Sequence, residues 1–146
     1  MGYGYLIPRC LAQGSAPRYD VSHFDVVVLC AEELQDIHIA RVETILCPLD
    51  DSGPPITQTE VAIAIKTAGR VYRRIKAGKR VLVTCHMGLN RSGLVGALTL
   101  RALGFTPQQS IRLVRATRGP EALKNRSFVR VIQSAVPAPE LLRVAS

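Results

Sequence analysis

The chain runs to 146 residues, of which 47% are hydrophobic and 21% charged, proportions that suit one folded domain with a real core and exclude a fibrous or disordered chain. Lys and Arg outnumber Asp and Glu by 19 to 11, a formal charge of +8, which would draw anionic partners. Four scattered cysteines, with no C-x-x-C pair and no zinc-like Cys/His spacing, leave no disulfide framework, metal site or cofactor to expect.

Met1-Gly2-Tyr3-Gly4-Tyr5 has neither the basic nor the apolar region of a signal peptide. The apolar runs fall far short of the ~20 residues of a membrane span. A single cytoplasmic domain over 1–146 is expected. Tyr5 to Leu11 reads as a first extended segment. Phe24 to Cys30 is a continuous apolar run rich in β-branched residues, the pattern of a strand buried on both faces. Glu43 to Cys47 reads as another strand, ending where Pro48-Leu49-Asp50-Asp51-Ser52-Gly53-Pro54-Pro55 breaks regular structure. Thr57 and Glu60 have the spacing of a capping box, and Val61, Ile65, Ala68, Val71, Tyr72 and Ile75 keep a helical period up to a C-terminal signal at Gly78. Val81 to Thr84 is the next strand, and after a loop Leu94 to Leu103 resumes as an apolar helix. Thr106-Pro107-Gln108-Gln109 repeats the capping pattern with proline at the first helical position, opening a helix to about Thr117. A last helix is expected over Lys124 to Val136, with a peripheral tail from about residue 137. Strands alternating with helices predict an α/β fold, a central, largely parallel sheet flanked by helices.

The basic surplus gathers in Arg70, Arg73, Arg74, Lys76, Lys79 and Arg80, and again in Arg112, Arg115 and Arg118. Ordinary solvated helix faces account for it as well as an anionic partner does. Cys10, Cys30 and Cys47 read as small core hydrophobes, and His23 and His38 as structural or surface residues.

Cys85 has different neighbours. Val83-Thr84-Cys85-His86-Met87-Gly88-Leu89-Asn90-Arg91-Ser92-Gly93 joins a buried strand to a helix, the place where open α/β sheets put ligand sites. Backbone N–H groups of such a loop can curl around an anion while the helix points its positive end at the same spot. Gly88 permits a left-handed turn in mid-loop. Arg91 brings a planar fork that matches two phosphate oxygens, and Cys85 at the mouth of an electropositive nest is expected to be a thiolate at neutral pH. A nucleophile, an anion cradle and a bidentate clamp on one centre make a phosphoryl-transfer site.

C-H-M-G-L-N-R-S at 85–92 resembles the C-x5-R-[ST] signature of cysteine-based protein tyrosine phosphatases. A signature past mid-chain is unlike the low-molecular-weight class. The absence of Trp excludes the Trp-Pro-Asp acid loop of the large tyrosine-specific enzymes. A short chain with its acid in Pro48-Leu49-Asp50-Asp51 is similar to the small dual-specificity phosphatases, and Arg118-Gly119-Pro120 and Asn125-Arg126-Ser127-Phe128 resemble their closing helix region.

The resemblance implies a phosphocysteine intermediate on Cys85, later hydrolysed by water, with Arg91 as clamp. It implies Asp51 as general acid, Asp50 being the close competitor and a turn-shaping role the alternative for both. Ser92 would donate to the departing cysteine sulfur, or cap the helix. His86, Met87, Gly88, Leu89 and Asn90 would line the phosphate with backbone amides, and the Asn90 side chain would brace the loop or stand exposed. The family usually has His before the nucleophile; Thr84 stands there instead, an uncharged hydroxyl that can still bond to the loop. The expected substrates are phosphotyrosine proteins, with phosphoserine and phosphothreonine proteins open. RNA 5′-phosphates and phosphoinositides are alternatives, the first because Gly88-Leu89-Asn90-Arg91 also resembles RNA 5′-triphosphatases. A phosphate-binding module with little turnover is the remaining reading.

Overall fold

The computed structural model describes residues 2–135; the expected tail, and the Val136 end of the last helix, lie outside the described residues. Five strands form one sheet: β1 (Tyr3–Ile7), β2 (Leu11–Gly14), β3 (Val26–Ala31), β4 (Glu43–Leu49) and β5 (Val81–Thr84), in the order β1-β2-β5-β3-β4. β1 is antiparallel to β2 and every other pair is parallel. The helices are α1 (Gln58–Lys76), α2 (Arg91–Ala102), α3 (Pro107–Arg118) and α4 (Arg126–Ser134). The predicted α/β architecture with its largely parallel sheet is the one observed.

The sequence pattern explains how the layers divide. In β3, Val26, Val28 and Cys30 enter the core shared with all four helices, while Val27 and Leu29 face a second cluster with Val21, Phe24 and Leu82. Both faces of the strand are therefore buried, as its unbroken apolar run requires. The second cluster is closed by Tyr3, Tyr19, Ile37, Ile39 and Val42, from β1 and the connecting loops.

Both capping boxes form. Glu60 N–H donates to Thr57 Oγ1 at 3.1 Å and Thr57 N–H to Glu60 Oε1 at 3.2 Å; Thr106 and Gln109 repeat the exchange at 3.1 and 2.9 Å. Each such cap is worth about 1 kcal/mol to its helix.

Several boundaries differ from expectation. The first extended segment is a hairpin that turns at Pro8-Arg9-Cys10, with Arg9 at φ 66°. Its second strand, Leu11-Ala12-Gln13-Gly14, contains Gln and Gly, which carry no strand propensity, but it is fully buried between β1 and β5. α2 starts at Arg91 rather than Leu94, so Arg91 and Ser92 belong to its first turn. Ser92 does not cap this helix; Asn90 occupies the cap position without a side-chain bond to the helix's own amides. α4 begins one residue after Asn125, whose Oδ1 accepts from Ser127 N–H at 3.0 Å. Cys30 and Cys47 are core residues, and burial pushes the Cys30 thiol up. Among the described residues no helix is long and apolar enough to cross a membrane.

Candidate active site

The carboxyl ends of the parallel strands converge. β5 runs straight into Cys85, β3 into Glu33, β4 into Asp51, and β2 carries Gln13 and Gly14. Open α/β sheets bind their ligands at this edge.

From Cys85 the loop curls through Gly88, which sits at φ 74°. A Cβ there would meet Gly14 C at 2.5 Å and Ser15 N at 2.6 Å, so glycine is required by both conformation and space. The loop's carbonyls are held from outside. His86 O accepts from Ala16 N–H at 3.1 Å, and Leu89 O from Leu123 N–H at 3.3 Å. Gly88 O accepts from Arg118 Nε at 3.0 Å and Gln13 Nε2 at 3.2 Å, and Met87 O lies 3.5 Å from Arg118 Nη2. A trans peptide sets its N–H opposite its C=O. Turning these carbonyls outward therefore turns the amides of Met87, Gly88, Leu89 and Asn90 inward, as an anion cradle needs. The His86 and Met87 side chains are exposed, leaving those positions only backbone to offer.

Cys85 is 4% exposed, with its Sγ 3.2 Å from Ser92 Oγ. The Thr84 hydroxyl, which could have bonded to the loop, donates instead to Val28 O at 2.7 Å. It is consumed by the sheet, because its side chain turns toward the neighbouring strand.

Arg91, 8% exposed, is the most constrained charge of the site. Its Nη1 donates to Glu33 Oε1 at 2.5 Å and to Leu49 O at 3.2 Å, and its Nη2 to Glu33 Oε2 at 2.9 Å. A guanidinium has five N–H donors. These contacts use three, and the two left over, Nε–H and one Nη2–H, lie side by side on one edge. That edge is a two-pronged fork suited to a pair of phosphate oxygens. The Arg91 guanidinium also holds the Glu33 carboxyl down at about 2, against an ordinary 4.5.

The two aspartates separate cleanly. Asp50 accepts from Ser52 N–H at 3.0 Å and Ser52 Oγ at 2.9 Å, a local turn. Asp51 faces the loop: its Oδ2 accepts from Asn90 Nδ2 at 3.0 Å and its Oδ1 from Asn125 Nδ2 at 2.6 Å. Asn90 Oδ1 in turn accepts from Asn125 N–H at 3.2 Å, so the Asn90 side chain does brace the loop. His38 is exposed, and His23 stacks on Phe24 and bonds to Tyr3, away from this network.

The sequence does not mark Glu33 or Gln13 as site residues, and it marks Asn125 only through the closing-helix resemblance, with no sign of its bond to Asp51; each lies far along the chain from what it holds. Arg118 stands in the sequence as part of a basic cluster and of the closing-region resemblance, and neither reading assigns it to the loop carbonyls it holds. The clusters are in part structural: Arg115 donates to Ala122 O and Leu123 O, Arg74 pairs with Glu43, and Arg80 with Asp25.

No protein-family model matches the chain, and no curated protein sequence does. Solved structures do. Human DUSP28 superposes with a TM-score of 0.78 at 21% identity, over 91% of this chain and 91% of that one. Tk-PTP in its active form gives 0.70 at 23% identity over 97% of both chains. PTPMT1 in complex with PI(5)P gives 0.76 at 18% identity over 100% of both. The fold is thus shared over nearly the whole length of these proteins, and the chain has the fold of the dual-specificity and protein tyrosine phosphatases.

Proposed function

We propose that the protein is a cysteine-dependent phosphomonoester hydrolase, a dual-specificity type of protein phosphatase acting on phosphotyrosine. Phosphoserine and phosphothreonine are further substrates to test. The observation that carries this reading is the free edge of Arg91, held by Glu33 and Leu49 O beside a cradle of inward amides with Cys85 at its base. A binding module needs the cradle but has no use for a thiol against a hydroxyl.

On this reading Cys85 attacks phosphorus as a thiolate, Arg91 and the amides of residues 86–91 hold the non-bridging oxygens, and Asp51 protonates the leaving oxygen. Water then cleaves the phosphocysteine while Ser92 donates to the departing sulfur. A nucleophilic thiol works best where thiols stay reduced, which favours the cytoplasm.

The test is turnover of an aryl phosphate by wild type and Cys85→Ser, followed by a panel of phosphotyrosine, phosphoserine and phosphothreonine peptides. A phosphoinositide belongs in the panel because the similar PTPMT1 structure holds PI(5)P, and triphosphate-ended RNA because of the charge. Wild type should hydrolyse phosphotyrosine peptide best and Cys85→Ser should hydrolyse nothing while melting at the same temperature. An active, folded Cys85→Ser protein would refute the mechanism, and preference for the lipid or RNA would reassign the substrate.

A further inference from the structure

Gln13 is fully buried in β2, and its side chain reaches the loop. Its Nε2 lies 3.2 Å from Gly88 O and 3.1 Å from Ser92 Oγ. The orientation of the amide is fixed by chemistry: Gly88 O can only accept, so the atom facing it is the nitrogen. The same nitrogen therefore donates to Ser92 Oγ. Gln13 Oε1 is left buried without a partner.

A buried carboxamide oxygen without a partner costs stability. An apolar side chain would pack there more cheaply, and Gly88 O would keep its bond from Arg118. The arrangement makes sense through Ser92. With one lone pair of Oγ occupied by Gln13, the hydroxyl proton is free to turn to the sulfur 3.2 Å away whenever that sulfur is a thiolate. An O–H whose oxygen already accepts is also the stronger donor. Without Gln13, Ser92 Oγ and Gly88 O are left as a donor and an acceptor around the same vacated space, and the proton can turn from the sulfur.

We propose that Gln13 is a positioning residue that aims the Ser92 hydroxyl at Cys85 and so speeds the second chemical step. This rests on the function proposed above. In that step water attacks phosphorus, the new P–O bond forms and the P–S bond breaks. The electron pair goes to Sγ, which leaves as thiolate, and the proton of water goes to the Asp51 carboxylate. Negative charge appears on sulfur only as the P–S bond breaks, so a hydroxyl aimed at it stabilises this transition state. The first step begins with the sulfur already charged and spends that charge, so it gains nothing from the same bond.

The experiment is rapid-quench kinetics on p-nitrophenyl phosphate, with acid trapping of the phosphocysteine, for wild type, Gln13→Met, Gln13→Leu, Ser92→Ala and Gln13→Met/Ser92→Ala. Gln13→Met should slow the second step about tenfold, the size expected for a hydrogen bond to a charged group. The first step should stay within about twofold, so that trapped phosphoenzyme rises toward one equivalent. Its melting temperature should equal or exceed that of wild type. The double variant should be no slower than Ser92→Ala, because both changes remove one interaction. Equal loss in both steps with a lowered melting temperature would make Gln13 merely structural and overturn the inference, as would unchanged kinetics or loss of the fold in both Gln13 variants. Wild-type protein that neither turns over nor traps phosphate would instead refute the function itself.

Discussion

Replacing Glu33 by Gln tests whether the Arg91 edge is held by design. The substitution keeps one acceptor but cannot take both guanidinium donors at 2.5 and 2.9 Å. A hydrogen bond to a charged group contributes ~1.5–3 kcal/mol. The Glu33 side chain is 48% exposed, so screening reduces the loss to about 1–1.5 kcal/mol. Arg91 retains its bond to Leu49 O, which limits the disorder. Through the clamp this becomes a fall in kcat of about 5- to 10-fold. Removing a negative charge beside the site should meanwhile leave inhibition by inorganic phosphate unchanged or slightly tighter. Steady-state kinetics on an aryl phosphate, with phosphate as competitive inhibitor, reads both. A kcat within twofold of wild type would show that the cradle alone orients Arg91 and that Glu33 is a surface pair of no consequence.

The same pair makes a stability prediction. Glu33 titrates near 4.5 when unfolded and near 2 when folded, so its contribution is complete above about pH 5 and drains away as pH falls toward 2. The gap in urea midpoint between wild type and Glu33→Gln should therefore narrow between about pH 5 and pH 3; a constant gap would refute the coupling. Arg91→Lys keeps charge but has no two-pronged edge, and turnover should fall by orders of magnitude. Near-normal activity in that variant would remove Arg91 from the clamp. Asp51→Asn should lose about 100-fold on phosphotyrosine peptide and far less on an ester with an acidic phenol, which needs no proton. Asp50→Asn should show no such leaving-group dependence. If the two variants exchange behaviours, the acid is Asp50.

What could be read from sequence was whatever local chemistry determines. The apolar run of β3, the two capping boxes and the strand-loop-helix around Cys85 each declare themselves within a dozen residues, by period, cap or glycine. β2 did not, because Gln13 and Gly14 are chosen for the site above them and not for strand propensity. No local pattern marks Glu33, and the parallel pairing of β3 with β5 is what brings it to Arg91. Asn125 falls inside the helix expected from Lys124 but is in fact its N-cap, and its amide contact to Asp51 depends on how α4 lies against the β4–α1 loop.

The outward ties on the 85–91 loop also bear on when the site comes into being. They arrive from Gln13, Ala16, Arg118 and Leu123, segments at opposite ends of the chain. A chain with β5 and α2 formed but either end still unfolded has its cysteine and arginine, yet only some of the loop carbonyls are turned outward. Loops closed over such separations are slow to form and among the first to open. In mild urea, activity should therefore disappear while far-ultraviolet dichroism still reports the helices, and a nascent chain should not complete its anion cradle until Leu123 has emerged to meet Leu89.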